Sequence, residues 1–179
     1  MKVTETKLKG CFIIEPSVFK DSRGYFFESF NQFKFEELTG QQGHFVQDNQ
    51  SSSTYGVLRG LHFQKGKYSQ AKLVRVLEGE VMDVAVDLRP DSETYGQSVS
   101  IVLTTENNLQ LYIPRNFAHG FSVLTETAVF AYKCDNVYNK ESEGGLRYND
   151  PDLNIDWGIP EDKVSLSDKD LILPFLKDL

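Results

Sequence analysis

The sequence predicts an all-β protein, an antiparallel sandwich or barrel, on three observations. Short apolar-rich runs recur with turn residues between them, at residues 11–15, 25–30, 57–63, 71–77, 81–88, 98–104, 109–113, 120–124 and 128–134. Runs of that length and spacing are the pattern of short strands in a sandwich or barrel. Over 81–88 the alternation is strict: Met82, Val84, Val86 and Leu88 share one face, and Val81, Asp83, Ala85 and Asp87 the other. A period of two is the signature of a strand. Aromatic usage agrees, since 13 Phe and 8 Tyr against one Trp and two Met favour strand packing.

Taken along the chain, the first helical signal is at 32–38, opened near Asn31 and stopped by Gly40. Leu77-Glu78-Gly79-Glu80-Val81 reads as a tight hairpin, with Gly79 supplying the positive φ of the turn. Residues 171–179 read as a second short helix interrupted by Pro174. No internal repeat, low-complexity tract or linker divides the chain. The expectation is one jelly-roll-like domain over residues 1–179 with a few short helices, large enough to bury a core without staples.

Charge narrows the function. A net charge of −7 argues against general nucleic-acid or anionic-membrane binding. An acidic protein that binds an anion must gather its few cations in one cleft, so each Arg and Lys position carries information. Cys11 and Cys134 are too few for a disulfide framework and fit buried, reduced thiols. Residues 1–10 hold no long apolar run, so neither a signal peptide nor a membrane span is expected, and the expected compartment is the cytoplasm.

Three segments could carry chemistry. In Arg59-Gly60-Leu61-His62-Phe63-Gln64-Lys65 a histidine sits among cations. A neutral imidazole there could take a proton from a carbon beside a carbonyl while the cations hold an anionic substrate. Arg59 and His62 have opposite strand parity, so serving one pocket requires a distortion at Gly60–Leu61. Tyr132 falls in register with Ala128, Phe130 and Cys134, which makes it either a core filler with a bonded hydroxyl or a proton donor. His119, in Pro114-Arg115-Asn116-Phe117-Ala118-His119-Gly120-Phe121, could be an acid/base group, a phosphate or carbonyl donor, or a metal ligand. A barrel-borne transition metal usually needs a His-x-His pair, and His62-Phe63-Gln64 supplies one imidazole only. No metal is expected. Arg23, Lys72 and Lys169 complete the list of cations to be placed.

The pieces occur in a familiar order. Over residues 3–175 the chain resembles the dTDP-4-dehydrorhamnose 3,5-epimerase family, through DSRGYFFE (21–28), QDNQS (47–51), VLRGLHFQ (57–64), KLVRVLEGEVMDVAVDLR (72–89), PRNFAHGF (114–121), YKCDNVY (132–138), GGLRYNDPDLNIDW (144–157) and LSDKD (166–170). The resemblance implies a homodimeric jelly-roll barrel of the cupin type that needs no metal or cofactor. The implied substrate is a dTDP-linked 4-keto-6-deoxyhexose, inverted at C3 and C5. By the same resemblance His62 matches the base, Asp170 the carboxylate that orients it, Tyr132 the proton donor, and Lys72 the cation near the C4 oxygen.

Arg23, Arg59, His119 and Lys169 match positions that contact the nucleotide diphosphate or sugar. Glu28, Gln47, Asp48, Asn49 and Glu143 match polar contacts, and Tyr138 the aromatic that stacks on thymine. The segment with Arg23 and Glu28 is expected to reach the neighbouring subunit's pocket. One departure is Val137, where the family often has a second tyrosine. The rivals are a single-centre epimerase on another dTDP-4-keto-deoxysugar, an inactive sugar-nucleotide-binding module, and a metal-dependent cupin enzyme.

Overall fold

A computed structural model describes residues 1–179. Its strands, in chain order, are β1 (Lys2–Glu5), β2 (Phe12–Glu15), β3 (Phe19–Asp21) and β4 (Gly24–Phe26), then helix α1 (Gln32–Thr39), then β5 (Gln47–Thr54) and β6 (Leu58–Gln64). There follow β7 (Lys72–Glu78), β8 (Glu80–Asp87), β9 (Ser98–Thr104), β10 (Gln110–Ile113), β11 (Phe117–Val123), β12 (Thr127–Cys134), β13 (Glu143–Gly145) and the single turn α2 (Asp168–Leu171). They form a six-stranded sheet, β1-β2-β10-β7-β12-β5, and a five-stranded sheet, β13-β6-β11-β8-β9, with β3–β4 as a separate ribbon. Every strand pairing is antiparallel. The architecture is a jelly roll, as the strand pattern predicts, and cupin-like, as the resemblance implies.

The alternation in 81–88 explains why β8 is buried on both faces. Val81 and Ala85 face the core between the sheets, with Phe130, Leu103 and Val123. Val84 and Val86 face the other way, into a second core with Leu146, Leu153 and Trp157 from the C-terminal part of the chain. Burying side chains of this size contributes about 1.5–3 kcal/mol each, so both faces of the strand hold it in place. A third cluster packs α1 on the outside of the larger sheet, through Phe35 against Tyr112 and Leu73. That helix is N-capped by the Asn31 side chain and ends on Gly40 at φ 68°, as its boundary residues predict.

Several expectations are corrected. Residues 77–81 are not a hairpin. Gly79 has the expected positive φ of 74°, but β7 pairs with β10 and β12 while β8 pairs with β11 and β9. The turn is a corner where the chain passes from one sheet to the other. A hairpin and a corner ask for the same glycine, so local sequence does not separate them.

The 25–30 run gives only the three-residue β4, because Phe30 leaves the ribbon to pack against Phe35 and Phe45. The C-terminal 171–179 helix is replaced by α2, which starts earlier at Asp168 behind the Ser167 N-cap, and by a 3₁₀ turn at Leu176–Asp178. β5 has no apolar period because its sequence, QDNQSSST, is polar on both faces; it is held by an eight-residue pairing with β12. No helix is long and apolar enough to cross a membrane.

Candidate active site

The site is built on a backbone irregularity in β6. His62 pairs with His119 across to β11, and Arg59 pairs with Phe121, so three steps on β6 are matched by two on β11. The extra residue is a bulge, and it resets parity so that Arg59 and His62 both line one cavity. Gly60, at φ 124°, makes this possible: a Cβ there would lie 2.6 Å from Gly120 Cα and 2.8 Å from the His119 carbonyl oxygen. The distortion that the parity of Arg59 and His62 predicts at Gly60–Leu61 is present.

The cavity holds about 440 Å³ between the two sheets. Strand β6 contributes Arg59 and His62, β7 Lys72, β11 His119 and β12 Tyr132, while the C-terminal segment contributes Lys169 and Asp170. Outside β6, each strand residue points inward by simple alternation. Tyr132 follows Ala128 and Phe130 on the core side of β12, its ring 6.1 Å from that of Phe130. An adjoining recess of about 380 Å³ shares His62, Lys72, Tyr132 and Lys169, and adds Gln47, Asn49, Tyr138 and Glu143. Together they form a groove of a size that suits a small ligand.

His62 Nε2 lies 2.6 Å from Asp170 Oδ1. Burial would raise the Asp170 carboxyl, but the bond to His62, with help from Ser167 and the Gly60 amide, brings it below its usual value. It is therefore ionised at neutral pH and can only accept, so Nε2 carries the hydrogen and Nδ1 is the free basic nitrogen of the neutral ring. Burial raises the Tyr132 hydroxyl, which stays protonated well beyond neutral pH. Burial pushes the Lys72 ammonium down. Its Nζ lies 5.8 Å from the Tyr132 ring centroid, and no carboxylate pairs with it. Cys134, its cross-strand neighbour, is pushed up to about 11 by burial and remains a neutral thiol.

His119 is buried against Phe130 and bonded through Nε2 to Asp83 at 2.8 Å. Burial lowers its pKa despite the carboxylate, and Lys72 and His62 add to the lowering. Asp83 is a site residue that motif reading passed over. Its signal is in the sequence, since a carboxylate sharing a strand face with Val81 and Ala85 must find a buried partner. At the rim, the Tyr138 hydroxyl donates to Glu143 at 3.0 Å, and Lys169 donates to the other oxygen of Glu143 at 2.5 Å. Gln47 bonds both Asn49 and the Tyr138 backbone amide. No group of three or more His, Cys, Asp or Glu side chains could hold a metal ion.

Three expected site residues lie elsewhere. Asp48 alternates with Gln47 and Asn49 and so faces the outside of the larger sheet, where it pairs with Lys133 at 3.0 Å. Arg23 sits on the β3–β4 ribbon, exposed and bound to Asp21 at 2.6 Å. Glu28 is tied to Lys34 and Asn31 beside α1. Neither Arg23 nor Glu28 lines this protomer's groove.

Known proteins resemble this chain closely. The family model described as dTDP-4-dehydrorhamnose 3,5-epimerase matches residues 5–178. The Shigella flexneri dTDP-4-dehydrorhamnose 3,5-epimerase is 52% identical over 171 residues, covering 96% of this chain and 93% of its own. The crystal structure of the enzyme of that name from Elizabethkingia anophelis NUHP1 superposes with a TM-score of 0.97 at 65% identity, over 99% of this chain and 97% of the other. A Legionella pneumophila dTDP-6-deoxy-D-glucose-3,5-epimerase, solved in complex with dTDP-4-keto-L-rhamnose, gives 0.94 at 50% identity, over 98% and 93%.

The depressed Lys72 ammonium can be read directly. In protein labelled with ε-¹³C-lysine, one NMR resonance should titrate below the ordinary lysine value of about 10.4 and disappear in Lys72→Arg. Because deprotonation comes as pH rises, the lowered value means that the Lys72 charge is lost at a lower pH than that of an ordinary lysine. A Lys72 midpoint at or above the ordinary value would contradict the desolvated setting.

Proposed function

The chain belongs to the dTDP-4-dehydrorhamnose 3,5-epimerase family, and on that footing we propose that it inverts C3 and C5 of dTDP-4-dehydro-6-deoxy-D-glucose to give dTDP-4-dehydro-L-rhamnose. One observation carries the assignment of roles: a His–Asp pair, a partly buried phenol and a lysine without a counter-ion share one cavity. C3 and C5 both flank the C4 ketone, so their protons are the acidic ones. Inversion needs a base on one side of the ring, a short-lived enolate, and a proton donor on the other side.

His62 removes the proton through Nδ1, and the imidazolium that forms is stabilised by Asp170. Lys72 faces the C4 oxygen, where its charge stabilises the enolate; such stabilisation is typically worth about 3 kcal/mol. Its lowered pKa makes it a better hydrogen-bond donor to that oxygen. Tyr132, held protonated, delivers the new proton. The reaction is redox-neutral and the ketone supplies the activation, so the chemistry calls for no cofactor. Arg59, His119 and Lys169 bind the diphosphate and sugar, while Gln47, Asn49, Glu143 and Tyr138 hold the thymidine. Arginine suits phosphate oxygens, and Arg59 bonds only the neutral Ser53 hydroxyl, leaving its charge available.

A homodimer completes this reading. The β3–β4 ribbon exposes Phe19, Tyr25 and Phe26 at 66%, 62% and 70%, an apolar surface of the kind a partner covers. In a dimer the ribbon would carry Arg23, and the adjoining segment Glu28, to the partner's groove. Analytical ultracentrifugation should give a dimer; a fully active monomer would contradict this arrangement.

His62→Ala and Tyr132→Phe are each expected to lose at least about 100-fold in turnover, the usual contribution of an acid/base group. In D₂O the wild type should place deuterium at both C3 and C5 of the product, read by NMR. Label at one carbon only would mean a single-centre epimerase. A wild-type rate in His62→Ala would remove the histidine from the mechanism.

A further inference from the structure

The motif GGLRYND, residues 144–150, lies outside the groove except for Gly144, yet it pairs with the strand that carries His62 and bonds the segment just beyond Asp170. Gly145 of β13 is the register partner of His62, and Leu61 and Leu146 exchange backbone hydrogen bonds of 3.1 and 2.9 Å. Two residues after Gly145, the Arg147 amide donates to the Pro174 carbonyl at 2.8 Å, and Arg147 Nε donates to the Leu173 carbonyl at 3.1 Å. The guanidinium carbon also lies 4.8 Å from the Phe175 ring centroid. Asp150 accepts the Leu176 amide at 2.5 Å. These contacts all fall three to six residues beyond Asp170.

The other end of the segment is pinned as well. Ser165 donates to the Gly56 carbonyl and accepts from the Leu58 amide, both at 2.9 Å. Asp170 therefore sits in a short strap fastened at Ser165 and at 173–176. Between Asp170 and the second fastening, Leu171 and Ile172 are 51% and 79% exposed, so they offer little packing to hold the carboxylate in register. On that side the Arg147 side chain bonds nearest to Asp170, at Leu173, while Asp150 and the packing of Leu176 on the second core hold the strap further along.

We infer that Arg147 is a positioning residue for the epimerase reaction: it clips the strap that carries Asp170 onto the strand that carries His62. This rests on the roles proposed above for those two residues. Arg147 touches no reacting atom. It acts by keeping the Asp170 carboxylate on His62 Nε2, and hence the imidazole in its working tautomer and orientation.

The test is a double-mutant cycle on the full-length enzyme, with kcat and KM measured for Arg147→Ala, Asp170→Asn and the double variant. Arg147→Ala should lower kcat by about 10- to 100-fold with KM changed less than about twofold, as expected when a catalytic group is misplaced. In the Asp170→Asn background the same change should cost less than about twofold, because no carboxylate remains to be positioned. Arg147→Lys keeps the charge but loses the Nε bond and the flat stacking on Phe175; it should show the same pattern at smaller size, and it carries the cycle should Arg147→Ala not fold. Equal losses in both backgrounds, or a wild-type kcat in Arg147→Ala, would overturn the inference alone. A wild-type kcat in Asp170→Asn would instead overturn the proposed His62–Asp170 pair on which it rests.

Discussion

Where β6 crosses β11, the two backbones approach so closely that neither can carry a side chain at the contact. A Cβ on Gly60 would sit 2.6 Å from Gly120 Cα, and one on Gly120 would sit 2.8 Å from the Arg59 carbonyl oxygen. Real Cβ atoms do not tolerate such distances, so two glycines are needed opposite one another. The close contact accommodates the extra residue in β6, and the extra residue puts Arg59 and His62 on the same side. Without it, the strand's period of two would send the guanidinium and the imidazole to opposite faces. The substrate groove is thus a consequence of one local departure from regular pairing.

The rest of the site follows from regular structure around that departure. Alternation on β12 brings Tyr132 inward behind Phe130, and the start of β7 places Lys72 across from Cys134. Their surroundings set their chemistry. Burial keeps the phenol protonated and makes the ammonium a readier proton donor, while Asp170 stays ionised against the imidazole despite being only 3% exposed. A protein with a net charge of −7 leaves Arg59 and Lys72 without carboxylate partners in this groove. Two un-neutralised cations there suit a substrate that brings its own negative charge.

Much of this is legible in the sequence, and the reasons for the rest are physical. Strands with one apolar face or two, such as β8, β9 and β12, announce themselves through alternation, and α1 through its cap residues. The β6 distortion is legible because Arg59 and His62 conflict in parity. β5 escapes because its partners, β12 and the groove, ask for hydrogen-bonding side chains in place of apolar ones. The Gly79 corner looks like a hairpin because local sequence records a turn and not what its flanking strands pair with. Asp48 lies outside this protomer's groove with Lys133, as its strand parity dictates and motif matching does not record. Arg23 and Glu28 belong to a ribbon that projects from the sheets, and a single chain does not reveal what such a ribbon meets. The pairing of His62 with a residue 108 positions away came from resemblance, since no local pattern links a strand to the tail that covers it.

The central claim is that proton removal and proton return are carried out by different groups on different sides of the sugar. Solvent deuterium in Tyr132→Phe tests it most directly. The His62 side chain is 37% exposed, so a proton it removes can exchange with solvent before it is returned. The account predicts that Tyr132→Phe incorporates deuterium into substrate recovered with its configuration retained, whereas His62→Ala incorporates none. Label appearing in His62→Ala, or appearing in Tyr132→Phe only in inverted sugar, would contradict it.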